Sequence, residues 1–173
     1  MKAFLSLFIA LFFASCTSQG LMQTALTLNN EGVFIKAKKN ESFKIIFHNS
    51  SSTQSELAFK LSQSLQNLGL KEVKENPTYE ILLNYIDFKK RSYAQRVSTS
   101  ADFFFNLDPL ESKGEWLVEN FYTLQVNIQI QSQNATQKTS LLARTAYLSD
   151  KIRSQLSLED KVIKQILNFF YFD

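Results

Sequence analysis

Between Phe121 and Gln131 the chain alternates strictly: Tyr122, Leu124, Val126, Ile128 and Ile130 are apolar, while Thr123, Gln125, Asn127, Gln129 and Gln131 carry only hydroxyls and amides. A period of two belongs to an extended strand, whose successive side chains point to opposite faces. The apolar set requires a core on one side, and the polar set requires water or a polar partner on the other. Such a strand belongs to an antiparallel sheet covered on one side only. The rest of the chain has to supply that cover.

Two helices are expected to do so. Leu57, Leu61, Leu65 and Leu68 recur every three or four residues, with Thr53 and Glu56 spaced as a capping box ahead of them and Gly69 as a left-handed stop. Near the C-terminus, Leu158, Val162, Ile163, Ile166, Leu167 and Phe170 repeat the pattern, with Ser157 and Asp160 as expected caps. Further strands are expected at 42–48 (Phe43, Ile45 and Phe47 on one face), 70–74 and 79–88, and at 138–148 after a turn at 133–136. In the strand at 79–88, Tyr79, Ile81, Leu83 and Tyr85 take one face; Leu82, Ile86 and Phe88 take the other, which makes it central. The order is β-α-β-β, an insert, then β-β-α. With both helices on one face of a mainly antiparallel sheet, this is a two-layer α+β fold.

The N-terminus constrains location. Lys2 precedes the apolar run Ala3 to Ala14, which ends in small residues, the layout of a secretory signal peptide. The run is shorter than the roughly 20 residues of a membrane span. Phe13-Ala14-Ser15-Cys16 resembles the lipobox of bacterial lipoproteins, with Phe13 where Leu is usual. That resemblance implies cleavage before Cys16, the chain's only cysteine, and acylation there; two or more acyl chains make a stable anchor. Thr17 stands where an inner-membrane retention signal would place Asp, so the resemblance implies the outer membrane. Residues 1–15 are then the leader, 16–32 a tether and 33–173 one domain.

Composition narrows the function. Without Lys2 the chain holds 18 Lys and Arg against 16 Asp and Glu, a balance too even for a nucleic-acid-binding stripe. An acylated Cys16 leaves no thiol for a disulfide, a nucleophile or a metal. His48, the single histidine, has no Gly-x-Ser-x-Gly elbow to serve, and no phosphate loop or metal-ligand spacing is present. The expectation is a protein that binds rather than catalyses, with no cofactor and no metal.

The expected contact region is the insert at 90–120. Phe103, Phe104, Phe105 and Trp116 are interleaved with charges, and they read either as loop aromatics tucked against the domain or as an exposed patch that docks on membrane lipid or a partner protein. Lys89, Lys90, Arg91 and Arg96 flank it; they read either as a solvated strand edge or as cations for lipid phosphate. Phe169 to Phe172 pose a related question, because one helix face cannot bury four consecutive aromatics.

Several stretches carry a family resemblance. Met22 to Leu26, Phe43 to Ser51 with the following helix, Asn76 to Ile81, and Tyr122 to Ile130 together resemble TraT-type outer-membrane lipoproteins. That resemblance implies a surface-exposed, non-enzymatic oligomer of the cell envelope. TraT-type proteins carry a Gly-rich apolar central segment where this chain has its Phe-rich insert. The size and the two-helix layout also resemble LptE-type lipoproteins, which implies a role in lipopolysaccharide assembly with Lys89, Lys90, Arg91 and Arg96 on lipid phosphates. There Cys-Thr-Ser stands at 16–18 in place of the usual Cys-Gly.

Overall fold

The structure, a computed structural model, describes residues 23–28, 32–97, 115–133 and 135–172. Eight strands and two helices follow in the order β1 (Thr24–Leu28), β2 (Ile35–Ala37), β3 (Ser42–Asn49), α1 (Leu57–Asn67), β4 (Lys71–Glu72), β5 (Tyr79–Val97), β6 (Glu115–Ser132), β7 (Thr136–Thr145), α2 (Lys151–Leu167) and β8 (Phe170–Phe172). Six strands form one sheet in the order β1-β7-β6-β5-β3-β4. The β1–β7, β7–β6 and β6–β5 pairs are antiparallel, whereas β3 runs parallel to both β5 and β4.

Both helices pack on the face that carries the apolar alternation. Leu124, Val126, Ile128 and Ile130 of β6 are buried against Leu57, Leu61 and Leu65 of α1 and Leu158, Val162 and Ile166 of α2. The opposite face has no covering layer among the described residues. This is the expected two-layer α+β arrangement.

Several local expectations are corrected. Thr24–Leu28 is a strand of the sheet and not part of a tether: the edge of β7 offers unpaired backbone groups, and β1 takes them with Leu26 and Leu28 turned toward the core. The Thr53–Glu56 capping box is absent. Thr53 N–H bonds Ser51 Oγ at 3.1 Å and its carbonyl accepts from Asn49 Nδ2 at 2.8 Å, so Thr53 is held in a side-chain-bonded turn. Helix α1 instead starts after Glu56, which makes no capping bond, with Ser55 Oγ accepting Leu57 N–H at 3.1 Å. Gly69, at φ +97°, ends the helix as expected and bonds Gln66 O at 2.9 Å. Helix α2 begins well before Ser157 and Asp160, because Asp150 caps it by accepting Arg153 N–H at 2.9 Å.

The C-terminal aromatics do leave the helix. Asn168 caps α2, and Phe170–Phe172 pairs in parallel with Ile35–Ala37 as a second, two-stranded sheet. Phe169 and Phe170 are buried, and Phe170 meets Tyr79 edge-on at 5.7 Å. The Tyr79 hydroxyl donates to Glu41 Oε2 at 2.6 Å and lies 3.0 Å from Lys36 O. Accepting that bond, together with the Lys38 backbone N–H, holds the Glu41 carboxyl below its ordinary value; burial first, and Glu41 second, push the Tyr79 phenol up.

A β-bulge shapes the middle of β5. Tyr85 pairs with Val126 and Asp87 with Gln125, so Ile86 is an extra residue. Alternation shifts there by one position, and Phe88, expected on the open face, lies buried on the helix side and stacks on Tyr122 at 5.3 Å. Bulges of this kind also bend and twist the strand.

Candidate functional site

Beyond the bulge the 90–120 region is not simply a loop. Strands β5 and β6 continue as a two-stranded ribbon from Arg91↔Phe121 to Val97↔Glu115, past the last β7 partner of β6, Arg144 opposite Thr123. These seven pairs make an arm of about 20 Å at 3.4 Å per residue. Its outward-facing rows hold Tyr93 opposite Glu119 and Gln95 opposite Leu117; its helix-side rows include Ala94 opposite Val118. Tyr93, Leu117 and Val118 are each more than half exposed, at 55%, 51% and 54%, so both faces of the arm show apolar surface to solvent.

The arm separates the cations that are adjacent in sequence. Lys89 and Arg91 share the open face, where both pair with Asp87, the Arg91 contact at 3.9 Å. Lys90 sits in the opposite, helix-side row with Tyr122, and Arg96 lies near the tip at the register of Trp116. The four therefore do not form one cluster. Phe103, Phe104, Phe105 and Cys16 lie outside the described residues. For Trp116 only the strand position is described.

A second surface comes from the uncovered sheet face. The register lines up Ile46, Leu82, Gln129 and Lys138 in one cross-strand row and His48, Asn84, Asn127 and Ser140 in the next. Together they line an open groove of about 710 Å³ on β3, β5, β6 and β7. Amides directly opposite one another present both donors and acceptors, and the adjacent Ile46 and Leu82 add an apolar strip. The face suits a polar, extended partner. His48 is exposed here; the hydroxyl that meets this row, Ser50 Oγ, donates to Asn84 Oδ1 at 3.0 Å. Among the described residues no group of three or more His, Cys, Asp or Glu is placed to hold a metal. The outward direction of Asn127 and Gln129 was legible in the alternation; the row they form with Asn84, His48 and Ser140 depends on strand order and was not.

Behind the sheet, a polar knot fixes the end of the domain from which the arm leaves. Gln155 Nε2 spends its two N–H groups on Gln54 O at 2.6 Å and Glu159 Oε1 at 2.9 Å. Glu159 is 1% exposed. The Tyr85 hydroxyl, buried nearby, has no hydrogen-bond partner of good geometry among the described residues; burial first and the Glu159 charge second push its phenol up, against a smaller lowering by Gln155. Among the described residues no helix is long and apolar enough to cross a membrane.

No protein-family model matches the chain, and no curated protein does. Among solved structures it is similar to the PelC dodecamer of Paraburkholderia phytofirmans, at 12% identity over 83% of this chain and 97% of that one, with a TM-score of 0.47. A minor lipoprotein of Acinetobacter baumannii is similar at 16% identity over 74% and 90%, TM-score 0.42. The rare lipoprotein B of Shewanella oneidensis is similar at 13% identity over 73% and 87%, TM-score 0.31.

Proposed function

We propose that the protein is a lipid-anchored component of the bacterial outer membrane that works by binding, not by catalysis. The observation that carries this reading is the six-stranded sheet with one face uncovered among the described residues, set in a chain whose lipobox-like Cys16 precedes β1 by only eight residues. A face of aligned amides and hydroxyls has the chemistry of a contact surface. His48, exposed beside amide groups, has no nucleophile placed against it by any bond in this row.

The TraT-like form of the proposal makes the partner a second copy, joined through the open face or the arm. The LptE-like form makes it a barrel protein and lipopolysaccharide. Lys89 and Arg91 both pair with Asp87, one carboxylate for two cations.

Labelled palmitate supplied to growing cells tests the anchor. The wild type is expected to take up label and sediment with outer membranes, and Cys16→Ser to do neither. An unlabelled wild type would overturn the reading.

A further inference from the structure

The exit point of the N-terminal segment and the arm lie at the same end of the domain. Gln23 O accepts from Ala146 N–H at 2.9 Å, and Tyr122 N–H bonds Thr145 Oγ1 at 3.0 Å, which puts Gln23 beside the base of the arm. Six residues separate Cys16 from Gln23, and the seven steps between them reach at most about 25 Å. An acyl group on Cys16 therefore keeps the arm end within that distance of the bilayer, and the arm itself spans a comparable length.

Six exposed apolar side chains also stand at that end, while Phe34, 70% exposed, is held at Gln137 toward the other. Tyr93, Leu117 and Val118 lie on the arm; Tyr147, Leu148 and Ile152, the last 69% exposed, lie at the corner between β7 and α2. At the N-terminus of α2 the Asp150 carboxylate caps the helix, and Lys151 and Arg153 stand exposed just after it. The turns at the opposite end carry Lys74, Glu75, Asn76 and Gln133.

We propose that the arm and the Tyr147–Ile152 corner seat in the headgroup layer of an anionic phospholipid bilayer, the one that holds the Cys16 lipid. This rests on the anchored reading above. Aromatic and aliphatic side chains enter the interface while Lys151 and Arg153 meet phosphates, and the open sheet face is left projecting away from the lipid.

The test uses the full acylated protein in vesicles of phosphatidylethanolamine and phosphatidylglycerol. Single cysteines at Tyr93→Cys, Leu117→Cys, Ile152→Cys and, as control, Gln133→Cys carry an environment-sensitive fluorophore. Blue-shifted emission, quenched by nitroxide-labelled phospholipid at the first three sites and not at the control, is expected. If the protein floats with the vesicles while those sites are as water-exposed as the control, the inference fails and the anchor stands. Shielding without quenching by lipid assigns the surface to protein and also overturns the inference. Protein that does not float overturns the anchored reading and this inference with it.

Discussion

Replacing Tyr85 with Phe should stabilise the protein, because the change removes one atom that folding strands. Tyr85 is fully buried, its ring meets Phe47 edge-on at 6.4 Å, and its hydroxyl has no hydrogen-bond partner of good geometry among the described residues. Gln155 is the nearby amide and lowers the phenol somewhat, but its two N–H groups bond Gln54 O and Glu159 Oε1, and it makes no hydrogen bond of good geometry to the hydroxyl. A buried hydroxyl left unpaired costs about 1–3 kcal/mol, while Phe keeps the ring contacts. Urea unfolding should therefore show a gain of about 1–3 kcal/mol, and the melting temperature should rise by about 2–4 °C per kcal/mol for a domain of this size. Alkaline pH adds an independent signature. Burial raises the phenols of Tyr79 and Tyr85 above their ordinary 10.0, so the folded state keeps protons that the unfolded chain releases. Their contribution is complete below pH 10 and is lost as pH climbs above it, by about 1.4 kcal/mol per pH unit for each phenol. Tyr85→Phe should halve the part of that slope owed to the pair. A variant less stable than wild type at pH 7 would refute the reasoning and mean that the hydroxyl is satisfied, by a trapped water for example.

Other substitutions probe separate parts of the account. Gly69→Ala should cost about 1–2 kcal/mol in a melting experiment; a Cβ there meets Lys39 no closer than 3.7 Å, so the cost comes from φ +97°. Deleting Ile86 should leave a folded protein, since Tyr85↔Val126 and Asp87↔Gln125 then become consecutive pairs, but should weaken lipid quenching at Leu117→Cys by straightening the arm. Leu124→Ala should lose about 2–5 kcal/mol from the core, and Asn127→Ala, on the open face, should stay within about 0.5 kcal/mol. Below the ordinary value of 4.5 the Glu41 contribution disappears as its depressed carboxyl protonates, and Tyr79→Phe should blunt that acid sensitivity in pH-dependent unfolding.

The sheet and its covered side were legible because residues 121–131 and 42–48 alternate cleanly and because Leu57–Leu68 with Gly69 forms a complete helix signal. The arm was not, because Lys89–Val97 mixes polar and apolar residues on both faces, as suits a ribbon with solvent on each side. The bulge at Ile86 hid the true direction of Phe88, since one extra residue reverses every assignment after it. Strand β1 is five residues long and β8 three, too short for a periodic signal, and their partners are distant in sequence. For the candidate site, single residues such as His48 and Asn127 could be placed on a face, but the rows that make the groove exist only once β3, β5, β6 and β7 are set side by side.

Photo-crosslinking in intact cells tests the central claim, binding through the uncovered sheet face, most directly. A benzoylphenylalanine at Asn127 should give a discrete protein adduct, with a second copy in the TraT-like form or a barrel protein in the LptE-like form. The same group at Gln63, on the exposed side of α1, should give none. Adducts confined to Gln63, or none at Asn127 in acylated, membrane-bound protein, would contradict the account.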